Sequence, residues 1–401
     1  MYIKTLKLKN YRNYEEIEVK FDPNINIIYG NNAEGKTNLL ESIYLCSTSK
    51  SHRNAKENDI INFNKDESHI KLIFCRGKLN VGNDILSLNV GASTASPKNE
   101  IIDIQLNKDS KKGVAKNGIK VEKLSEFLGF FNVIMFAPED LNIIKDGPAV
   151  RRKFLDIELS QTDKIYVNII QNYNKTLNQR NALLKDIYKT TGNNRYDLLQ
   201  MLDTYDEQLV NYGLEVIKKR SENIKNLAEK IYKIHLLISD NKEKLIVGYE
   251  NDIISVNQPV GASTASPKEI YLKKLQETRD LDIKNQYTMI GPHRDDISFK
   301  VEDKDIRKFG SQGQKKTAAI SLKLSELEML KEKINDTPVL LLDDVFSELD
   351  ETRQKLLVSN LQGIQTIITC TGIKKNIFDL LKPEKIFNVS NNTVVEKQRN
   401  I

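Results

Sequence analysis

In the first 90 residues of this chain, apolar residues alternate with polar ones over short segments. This alternation is typical of half-buried β-strands and predicts strands around residues 3–8, 17–19 and 25–28. An amphipathic segment at residues 37–48 then predicts a helix. More strands are predicted beyond it, including a hairpin at Asn117-Gly118, a dipeptide that favours a two-residue turn. The N-terminal part is therefore predicted to combine sheet and helix.

The apolar period changes to 3.6 residues from about Pro148. Two helical stripes follow at residues 165–187 and 202–234, with a break at residues 190–194. They predict an antiparallel helical hairpin, too short for a coiled-coil arm but sufficient for a compact lobe. Strand-like segments return after about Gln286. The predicted organisation is an N-terminal α/β part at 1–147, an inserted all-helical lobe at 148–285 and a C-terminal α/β part at 286–401.

The nonapeptide VGASTASPK occurs twice, at residues 90–98 and 260–268, and nothing around the two copies is similar. Two isolated copies do not make a repeat architecture. Small residues and a proline suit a surface loop. We interpret both copies as inserted or substituted linkers and assign them no function.

Composition places the chain among ordinary globular proteins. It has 401 residues, of which 39% are hydrophobic and 29% charged. No apolar run approaches the ~20 residues that span a membrane, and the N-terminus lacks the apolar core of a signal peptide. Cys46, Cys75 and Cys370 are too few and too scattered for a disulfide framework or a metal site. We therefore expect a cytoplasmic protein, and its net charge of +6 is compatible with a nucleic-acid partner without requiring one.

The most specific chemical motif is a P-loop, G-x4-G-K-[ST], between a predicted buried strand and a predicted helix. Its glycines let backbone N–H groups surround a β-phosphate at a helix N-terminus, where the dipole favours anions. Lys36 would neutralise β- and γ-phosphate charge, and the Thr37 hydroxyl would bind Mg²⁺. A chance match in a glycine-containing turn is the alternative, and the flanking elements argue against it. The predicted ATP-binding residues are Gly30, Asn31, Asn32, Ala33, Glu34, Gly35, Lys36 and Thr37.

Two acidic residues end another predicted buried strand. Apolar residues 338–342 lead directly into Asp343 and Asp344. Because α/β sheets bind ligands at the carboxyl ends of their strands, we expect this pair beside the P-loop. Asp343 is the expected Mg²⁺ carboxylate, and Asp344 is the expected catalytic base or water-positioning residue. Without the P-loop, the same pair could simply cap the next helix.

A third motif, FGSQGQ at residues 309–314, precedes a predicted amphipathic helix. It resembles the signature of ABC-type ATPases, usually written LSGGQ. In those ATPases the signature binds the γ-phosphate of an ATP held by the opposite subunit, which implies this role for Ser311, Gly313 and Gln314. Ser347 and Asp350 resemble the D-loop of the same proteins. A Gly-Ser turn before an ordinary helix is the alternative.

Together these motifs resemble those of the RecF family, bacterial recombination mediators related to SMC proteins. The paired aspartates are a trait of that family, since most ABC relatives have Asp-Glu there. The nonapeptides depart from the family pattern and fall between its motifs. Five further segments match the family's pattern and occur in the same order as in the family. They lie at residues 8–14, 136–141, 147–152, 179–184 and 291–296.

The resemblance implies an α/β fold of the ABC-type ATPase-head class, a P-loop mixed sheet with helices, plus the inserted helical lobe. It implies ATP and Mg²⁺ as cofactors, an ATP-dependent homodimer, and binding to double-stranded or gapped DNA. The expected processes are recombinational repair, replication restart and the SOS response, with RecR, together with RecO, as protein partner. Whether the chain counts as an enzyme stays open, and a weak DNA-dependent ATPase that acts as a molecular switch is the expectation.

The alternative function is a nucleotide-binding regulatory or transport ATPase subunit without DNA contact. Spacing argues against a transporter, because the interval from Thr37 to Gly310 is longer than in a transporter subunit. Transporters also have a histidine after the strand that follows the D-loop, where this chain has Cys370 or Thr371. A γ-phosphate contact there would be weaker or come from a hydroxyl. ATP-dependent DNA binding distinguishes the two functions.

Several basic residues are weaker candidates. Arg12 follows the first strand, where SMC-like heads contact nucleotide phosphate, and a surface arginine is the alternative. Lysines of the predicted hairpin could contact a DNA backbone or protect a strand edge from pairing. Two arginines at a predicted helix start oppose the helix dipole, which an anionic partner would explain. The weak DNA candidates are Lys111, Lys112, Lys116, Arg151 and Arg152.

Overall fold

The computed structural model describes residues 1–53, 55–77, 98–253, 265–372 and 375–398. The two nonapeptides fall outside these residues, except for Lys98 and residues 265–268. The linker interpretation therefore concerns residues that are mostly not described. Within the second copy, Ser266 accepts a hydrogen bond from the backbone N–H of Glu269 and begins a helix.

The chain folds into two units, each with its own internal packing. Unit 1 comprises Met1–Asp140 and Leu322–Ile401, and unit 2 comprises Leu141–Ser321. The strands are β1 (Tyr2–Tyr11), β2 (Tyr14–Lys20), β3 (Ile25–Tyr29), β4 (Glu67–Cys75), β5 (Asn99–Asn107), β6 (Gly113–Lys116), β7 (Ile119–Lys120), β8 (Val133–Phe136), β9 (Leu245–Glu250), β10 (Asp296–Val301), β11 (Lys304–Asp305), β12 (Val339–Asp343), β13 (Thr366–Cys370), β14 (Lys385–Ser390) and β15 (Thr393–Lys397). The helices are α1 (Lys36–Thr48), α2 (Glu57–Ile60), α3 (Leu124–Phe127), α4 (Leu141–Lys145), α5 (Pro148–Thr162), α6 (Lys164–Lys189), α7 (Asn193–Ile238), α8 (Pro267–Glu277), α9 (Arg279–Asn285), α10 (Ile306–Phe309), α11 (Gln312–Ile334), α12 (Glu351–Ser359) and α13 (Lys375–Leu381). Among the helices described, none has the length and apolar content needed to cross a membrane.

A mostly parallel sheet in unit 1 positions the predicted chemistry. Its strand order is β15-β14-β3-β13-β12-β8, and only β15 runs antiparallel to its neighbour. Every residue of β12 is buried, as its unbroken apolar run predicts. The register pairs Asp343 with Thr369 and Thr369 with Ile28. The loops after β3, β12 and β13 therefore meet at one edge of this sheet.

A second sheet in unit 1 is antiparallel, with the order β2-β1-β4-β5-β6-β7. Burial alternates along β4, where Ile70, Leu72 and Phe74 face the core. The predicted hairpin is confirmed, because Asn117 and Gly118 connect β6 to β7 with positive φ angles of 51° and 81°. The predicted strands 3–8, 17–19 and 25–28 lie within β1, β2 and β3, and the predicted helix 37–48 lies within α1.

Unit 2 contains the predicted helical hairpin. Tyr173 and Leu177 of α6 pack against Leu209 and Val216 of α7, and three residues connect the two helices. The description of residues 148–285 as all-helical needs one correction, because β9 lies inside them. This strand pairs antiparallel with β10, whose first residue is Asp296. A single six-residue strand with a distant partner leaves little periodic signal in the sequence.

Arg180 of α6 is fully buried in unit 2 between two carboxylates. Its Nε donates to Asp206 Oδ1 at 2.6 Å, and its Nη1 donates to Asp282 Oδ2 at 2.7 Å. Nη1 also donates to Thr288 Oγ1 at 2.8 Å. Since both carboxylates are buried as well, removing the guanidinium would leave negative charges without this compensation.

We expect Arg180→Leu to lower the free energy of unfolding by roughly 3–5 kcal/mol, the usual cost of breaking a buried ion pair from one side. Urea unfolding of the whole chain, followed by circular dichroism, measures the change. Lys185→Leu is the control, because Lys185 is exposed on the same helix and should change stability by no more than about 0.5 kcal/mol. Equal midpoints for the two variants would contradict a stabilising role for Arg180.

Candidate functional site

A cavity of ≈ 330 Å³ lies in unit 1, where the loops after β3, β12 and β13 meet. The P-loop, the acidic pair and the segment after β13 all contribute to its wall. Its lining residues are Asn32, Ala33, Gly35, Lys36, Thr37, Asn38, Arg53, Asp343, Asp344, Thr369 and Thr371. The structure thus brings together residues predicted from motifs more than 300 positions apart.

Two P-loop glycines are required by close packing. A Cβ on Gly30 would lie 2.3 Å from the carbonyl oxygen of Val389, and a Cβ on Gly35 would lie 2.5 Å from Asn13 Nδ2. Gly35 also has a φ of 106°, a conformation that favours glycine, and it is the N-cap of α1. The loop therefore turns sharply into a helix N-terminus, whose first N–H groups suit an anion.

The Lys36 ammonium is buried within the curl of the P-loop. Its Nζ donates to the carbonyl oxygens of Gly30 and Asn31, each at 2.7 Å. Burial lowers the pKa of Lys36, and the nearby Asp344 and Asp343 oppose that shift. The contacts of Lys36 place a cationic donor against the cavity.

The side-chain oxygens of Asp343 and Thr37 lie next to each other, and both are of the kind that binds Mg²⁺. The Thr37 hydroxyl donates to Asp343 Oδ1 at 3.0 Å, and the Thr369 hydroxyl donates to the same oxygen at 2.6 Å. Mg²⁺ prefers one or two protein oxygens completed by phosphate and water, so this pair fits the ion. No cluster of three or more His, Cys, Asp or Glu side chains suited to a metal occurs among the described residues. Two protein oxygens leave the remaining positions around such an ion to phosphate and water.

Asp344 follows β12 with a φ of 50° and precedes the 3-10 turn Val345–Glu348. Its backbone N–H donates to the carbonyl oxygen of Thr369 at 3.2 Å, which ties it to the end of β13. This left-handed conformation is tolerated by aspartate better than by most residues. The chain turns at Asp344 into the 3-10 helix that follows, and the Asp344 side chain lines the cavity.

Thr371 and Cys370, the two candidates after β13, have different surroundings. Thr371 lines the cavity, whereas Cys370 is not among the lining residues. Burial raises the pKa of the Cys370 thiol to about 11, so it is a neutral thiol at pH 7. Of the two, the Thr371 hydroxyl is the candidate for a phosphate contact.

Arg12 and Glu34 are not among the cavity-lining residues. The guanidinium of Arg12 donates to both carboxylate oxygens of Glu41, at 2.9 and 2.7 Å, and to the carbonyl oxygen of Asp59 at 2.7 Å. The Glu34 carboxylate accepts from the backbone N–H of Asn391 at 2.8 Å. Contact of either side chain with nucleotide stays a prediction.

Arg53 is a cavity residue that sequence reasoning missed. It is exposed, and its Nη1 lies 3.3 Å from Asn38 Oδ1. Its backbone N–H donates to Ser51 Oγ, and the Ser51 hydroxyl donates in turn to Glu41 Oε1 at 2.5 Å. The Glu41 carboxylate that holds Arg12 therefore also positions the segment carrying Arg53. No local motif marks this arginine, since its position depends on contacts with α1.

The signature segment, described within unit 2, forms a reciprocal helix cap. The Ser311 N–H donates to Gln314 Oε1 at 2.8 Å, and the Gln314 N–H donates to Ser311 Oγ at 3.1 Å. A hydroxyl that accepts one hydrogen bond still has its own proton to donate. A Cβ on Gly313 would have Ser311 Oγ, 3.7 Å away, as its nearest neighbour. Packing within the chain therefore does not require glycine at 313, and a close external contact would explain it.

The two D-loop candidates make local contacts in unit 1. The Ser347 hydroxyl donates to the carbonyl oxygen of Asp344 at 2.7 Å. Asp350 is the N-cap of α12, where its carboxylate accepts from the Arg353 N–H at 3.0 Å. These contacts shape the turn after β12, and a role across a dimer interface stays a prediction.

Arg151 and Arg152, the two arginines predicted as weak DNA candidates, make hydrogen bonds within unit 2. The guanidinium of Arg151 donates to both oxygens of Asp296, at 2.6 and 2.9 Å, and the side chain is only 3% exposed. Its Nη1 also donates to carbonyl oxygens of Ile143 and Asp146. Arg152 Nη1 donates to the carbonyl oxygen of Asp295 at 2.8 Å. These contacts give Arg151 an internal role, and we do not retain it among the proposed DNA contacts.

The lysine candidates differ from one another. Lys112 Nζ lies 2.6 Å from Glu57 Oε1 and donates to the carbonyl oxygen of Ser49 at 2.8 Å. Lys111 is exposed. Lys116, at the end of β6, donates to the carbonyl oxygen of Glu126 at 2.5 Å. Lys111 and Lys116 are therefore better placed for an external anion than Lys112.

Known proteins resemble this chain along its whole length. The family model described as RecF/RecN/SMC N terminal domain matches residues 2–395. A protein of Lachnospira eligens named DNA replication and repair protein RecF is 46% identical over 397 residues, covering 99% of this chain and 100% of the relative. A protein of Agathobacter rectalis with the same name is 46% identical over 389 residues, covering 97% of each chain.

Solved structures agree with these sequence relationships. A structure of the recombination mediator protein RecF with ATP, in the RecFOR pathway, has a TM-score of 0.86 at 34% identity and covers 99% of this chain and 98% of that chain. An SMC head bound to the C-terminal winged-helix domain of ScpA has a TM-score of 0.54 at 14% identity, covering 100% of this chain and 98% of that chain. The second likeness shows a shared fold alone.

Proposed function

Because this chain belongs to the RecF family, we propose that it is an ATP-dependent DNA-binding protein of recombinational repair and replication restart. It dimerises on ATP and hydrolyses ATP slowly, and this cycle controls DNA binding and recombinase loading. The cavity that joins Lys36 and Thr37 of the P-loop to Asp343 and Asp344 carries this proposal. The names of the full-length relatives and the ATP in a RecF structure favour it over a transport or regulatory subunit.

ATP would bind with its phosphates in the cavity. Lys36 would exchange its two loop carbonyls for β- and γ-phosphate oxygens, which are stronger acceptors because they are charged. Arg53, whose guanidinium lies beside Asn38 in the first turn of α1, would add a second cation, and Thr371 would offer a hydroxyl. Thr37 and Asp343 would hold Mg²⁺, which neutralises charge on the β- and γ-phosphates when bound.

Asp344 is the residue proposed to orient the attacking water and accept its proton. Its carboxylate is one methylene shorter than the Glu usual in ABC-type heads. A water misplaced by about 1 Å can cost about 10²-fold in rate. We therefore expect on the order of a few turnovers per minute or less, well below the ~10 s⁻¹ of a typical enzyme. At such a rate, hydrolysis would set how long the ATP-bound dimer persists.

Dimerisation would follow from the division of the ATP contacts between two copies. The P-loop, Asp343 and Asp344 line one cavity, whereas Ser311 and Gly313 lie at an exposed helix start in unit 2. In the proposed dimer, the signature of each copy caps the ATP of the other, so a two-fold arrangement contains two such contacts. Duplex or gapped DNA would bind the closed dimer, and RecR with RecO would be its partners by family membership.

Asp344→Asn tests this cycle, because it keeps the size of the side chain and removes its ability to accept a proton. We expect ATP affinity within about twofold of wild type, turnover at least about 10²-fold lower, and a dimer that persists after ATP addition. Light scattering with ATP and Mg²⁺ measures the dimer, and fluorescence anisotropy with a labelled duplex measures DNA binding. Both should rise with ATP and remain high in the variant.

Asp66→Asn is the matched control, since it makes the same change at an exposed carboxylate of unit 1 that pairs with Lys108 and does not line the cavity. It should retain the wild-type turnover within a few fold. A wild-type chain that binds ATP but binds duplex no better with ATP would contradict the proposed function. A turnover of many per second would contradict the proposal that slow hydrolysis sets the lifetime of the ATP-bound dimer.

A further inference from the structure

The hairpin of β6 and β7 carries an apolar side chain at its exposed end. Ile119 is 74% exposed, directly after the turn at Asn117 and Gly118. Isoleucine is usually buried, and single exposed apolar residues are common enough to need no explanation. Ile119, however, follows a turn held by several hydrogen bonds and lies near side chains that carry positive charge.

The turn that presents Ile119 is held firmly. The backbone N–H of Asn117 donates to the carbonyl oxygen of Ile101 at 2.9 Å, and the backbone N–H of Ile101 donates to Asn117 Oδ1 at 2.8 Å. The Asn117 amide also donates to the Glu100 carboxylate. A turn with positive φ at both central residues matches the twist of the flanking strands. The backbone at Ile119 is therefore already ordered, so binding a partner there would cost little further conformational entropy.

Two cations share one aromatic ring beside this hairpin. The Arg76 guanidinium carbon lies 5.2 Å from the centroid of the Phe130 ring, and Lys116 Nζ lies 5.0 Å from the same centroid. Their hydrogen-bond partners are neutral, because Arg76 donates to the carbonyl oxygen of Phe130 and Lys116 to that of Glu126. Among the described residues, neither cation has a carboxylate within ion-pair distance. Like charges held together in this way favour an external anion.

Lys120 adds positive charge on the other face of β7, because it pairs with Ala115 whereas Ile119 pairs with Lys116. It is 76% exposed, and its ion pair with Glu122 at 3.2 Å is exposed on both sides. Such a pair contributes little and is readily exchanged for a stronger anion. Lysines alone would be enough to prevent edge pairing of β7. That role explains neither the paired cations on Phe130 nor the rigid display of Ile119.

We propose that Arg76, Lys116 and Ile119, hereafter the hairpin surface, form a contact site for duplex DNA. The two cations lie against backbone phosphates, and Ile119, which pairs with Lys116 and so shares its face of the hairpin, makes apolar contact in the minor groove. Proteins that bind this groove often combine Lys or Arg side chains with an apolar side chain such as isoleucine placed against the bases. This inference rests on the DNA binding proposed above and assigns it to one edge of one sheet.

Two kinds of variant separate the charged and apolar parts of the contact. Arg76→Gln with Lys116→Gln should lower the magnitude of the salt dependence, the slope of log affinity against log salt, by about 2, since each phosphate contact contributes about 0.9. Ile119→Ser should weaken duplex binding about tenfold while leaving that slope unchanged, because it removes apolar contact and no charge. Fluorescence anisotropy with a labelled 30-base-pair duplex, with ATP and Mg²⁺ at several salt concentrations, measures both quantities.

Matched controls come from the same unit. Lys20→Gln removes an exposed cation from β2, at the opposite edge of the same sheet, and Phe63→Ser removes an apolar side chain that is 93% exposed. Neither should change affinity by more than about twofold or alter the salt slope. Nucleotide affinity should be equal in all variants, which establishes that unit 1 is folded.

If wild type binds duplex and the hairpin variants bind it equally well, the hairpin surface is not the DNA contact and the inference is wrong. The same conclusion follows if the control variants weaken binding as much as the hairpin variants do. If wild type fails to bind duplex with ATP, the proposed function itself fails, and Ile119 would instead be a candidate for contact with a protein.

Discussion

Replacing Lys36 with alanine should abolish ATP turnover and strongly weaken ATP binding while the chain stays folded. The Lys36 ammonium is buried in the P-loop and held by the carbonyl oxygens of Gly30 and Asn31 at 2.7 Å. In the proposed complex it is the cation that meets the β- and γ-phosphates. Removing one such preorganised donor costs about 10²–10³-fold in turnover, and the binding energy of a charged hydrogen bond is lost as well.

The measurement pairs a nucleotide titration with an ATPase assay and a circular dichroism spectrum. Lys50→Ala is the control, since Lys50 is an exposed lysine just past the end of α1 and should behave as wild type. Lys36→Arg adds a second comparison, because it keeps the charge but its planar guanidinium does not fit a site shaped for an ammonium. Wild-type nucleotide affinity and turnover in folded Lys36→Ala would show that the cavity is not the ATP site.

The parts of this site that sequence predicts are those encoded by local chemistry. The P-loop is continuous in sequence, and the apolar run ahead of Asp343 defines both a buried strand and the point where it ends. Parallel pairing then brings such strand ends together by a general rule of α/β sheets. Reading the two motifs separately is therefore enough to place Lys36, Thr37, Asp343 and Asp344 around one cavity.

Residues whose placement depends on a distant partner are not predictable in this way. Arg53 reaches the cavity because Ser51 is bound to Glu41, and Glu41 is in turn bound to Arg12. The sequence predicts that Arg12 approaches the phosphates, yet in this structure Glu41 holds it in place. Arg151 has the sequence context of an anion-binding arginine but is neutralised by Asp296, 145 residues further along the chain. A single sequence gives the charge of such residues but not the partner.

The helical lobe shows the same division between local and distant information. The stripes of α6 and α7 each repeat over several turns, so the hairpin follows from periodicity alone. β9 has six residues, and its identity as a strand depends on pairing with β10 across the intervening helices α8 and α9. The buried Arg180 likewise is explained only by Asp206 and Asp282, which come from two other helices.

A charge at Ser311 should decide whether two copies close around ATP. Ser311 caps α11 through a reciprocal pair of hydrogen bonds with Gln314. Aspartate and asparagine are as effective as serine in this capping position, and aspartate also interacts favourably with the helix dipole. Ser311→Asp should therefore fold normally but place a negative charge against the γ-phosphate of the opposite copy. Like charges in an interface cost several kcal/mol, and the two-fold dimer contains the contact twice.

We expect Ser311→Asp to bind ATP as a monomer with wild-type affinity and to show no ATP-driven dimer, a loss of at least about 10³-fold in dimer affinity. Ser311→Asn is the matched control, because it has the same size and capping ability without the charge, and it should still dimerise. Light scattering with ATP and Mg²⁺, beside a nucleotide titration of each variant, gives both quantities. Normal dimerisation of Ser311→Asp would show that the signature does not face the partner's ATP. A loss of ATP affinity in the monomer would show instead that Ser311 acts on the nucleotide bound to its own chain.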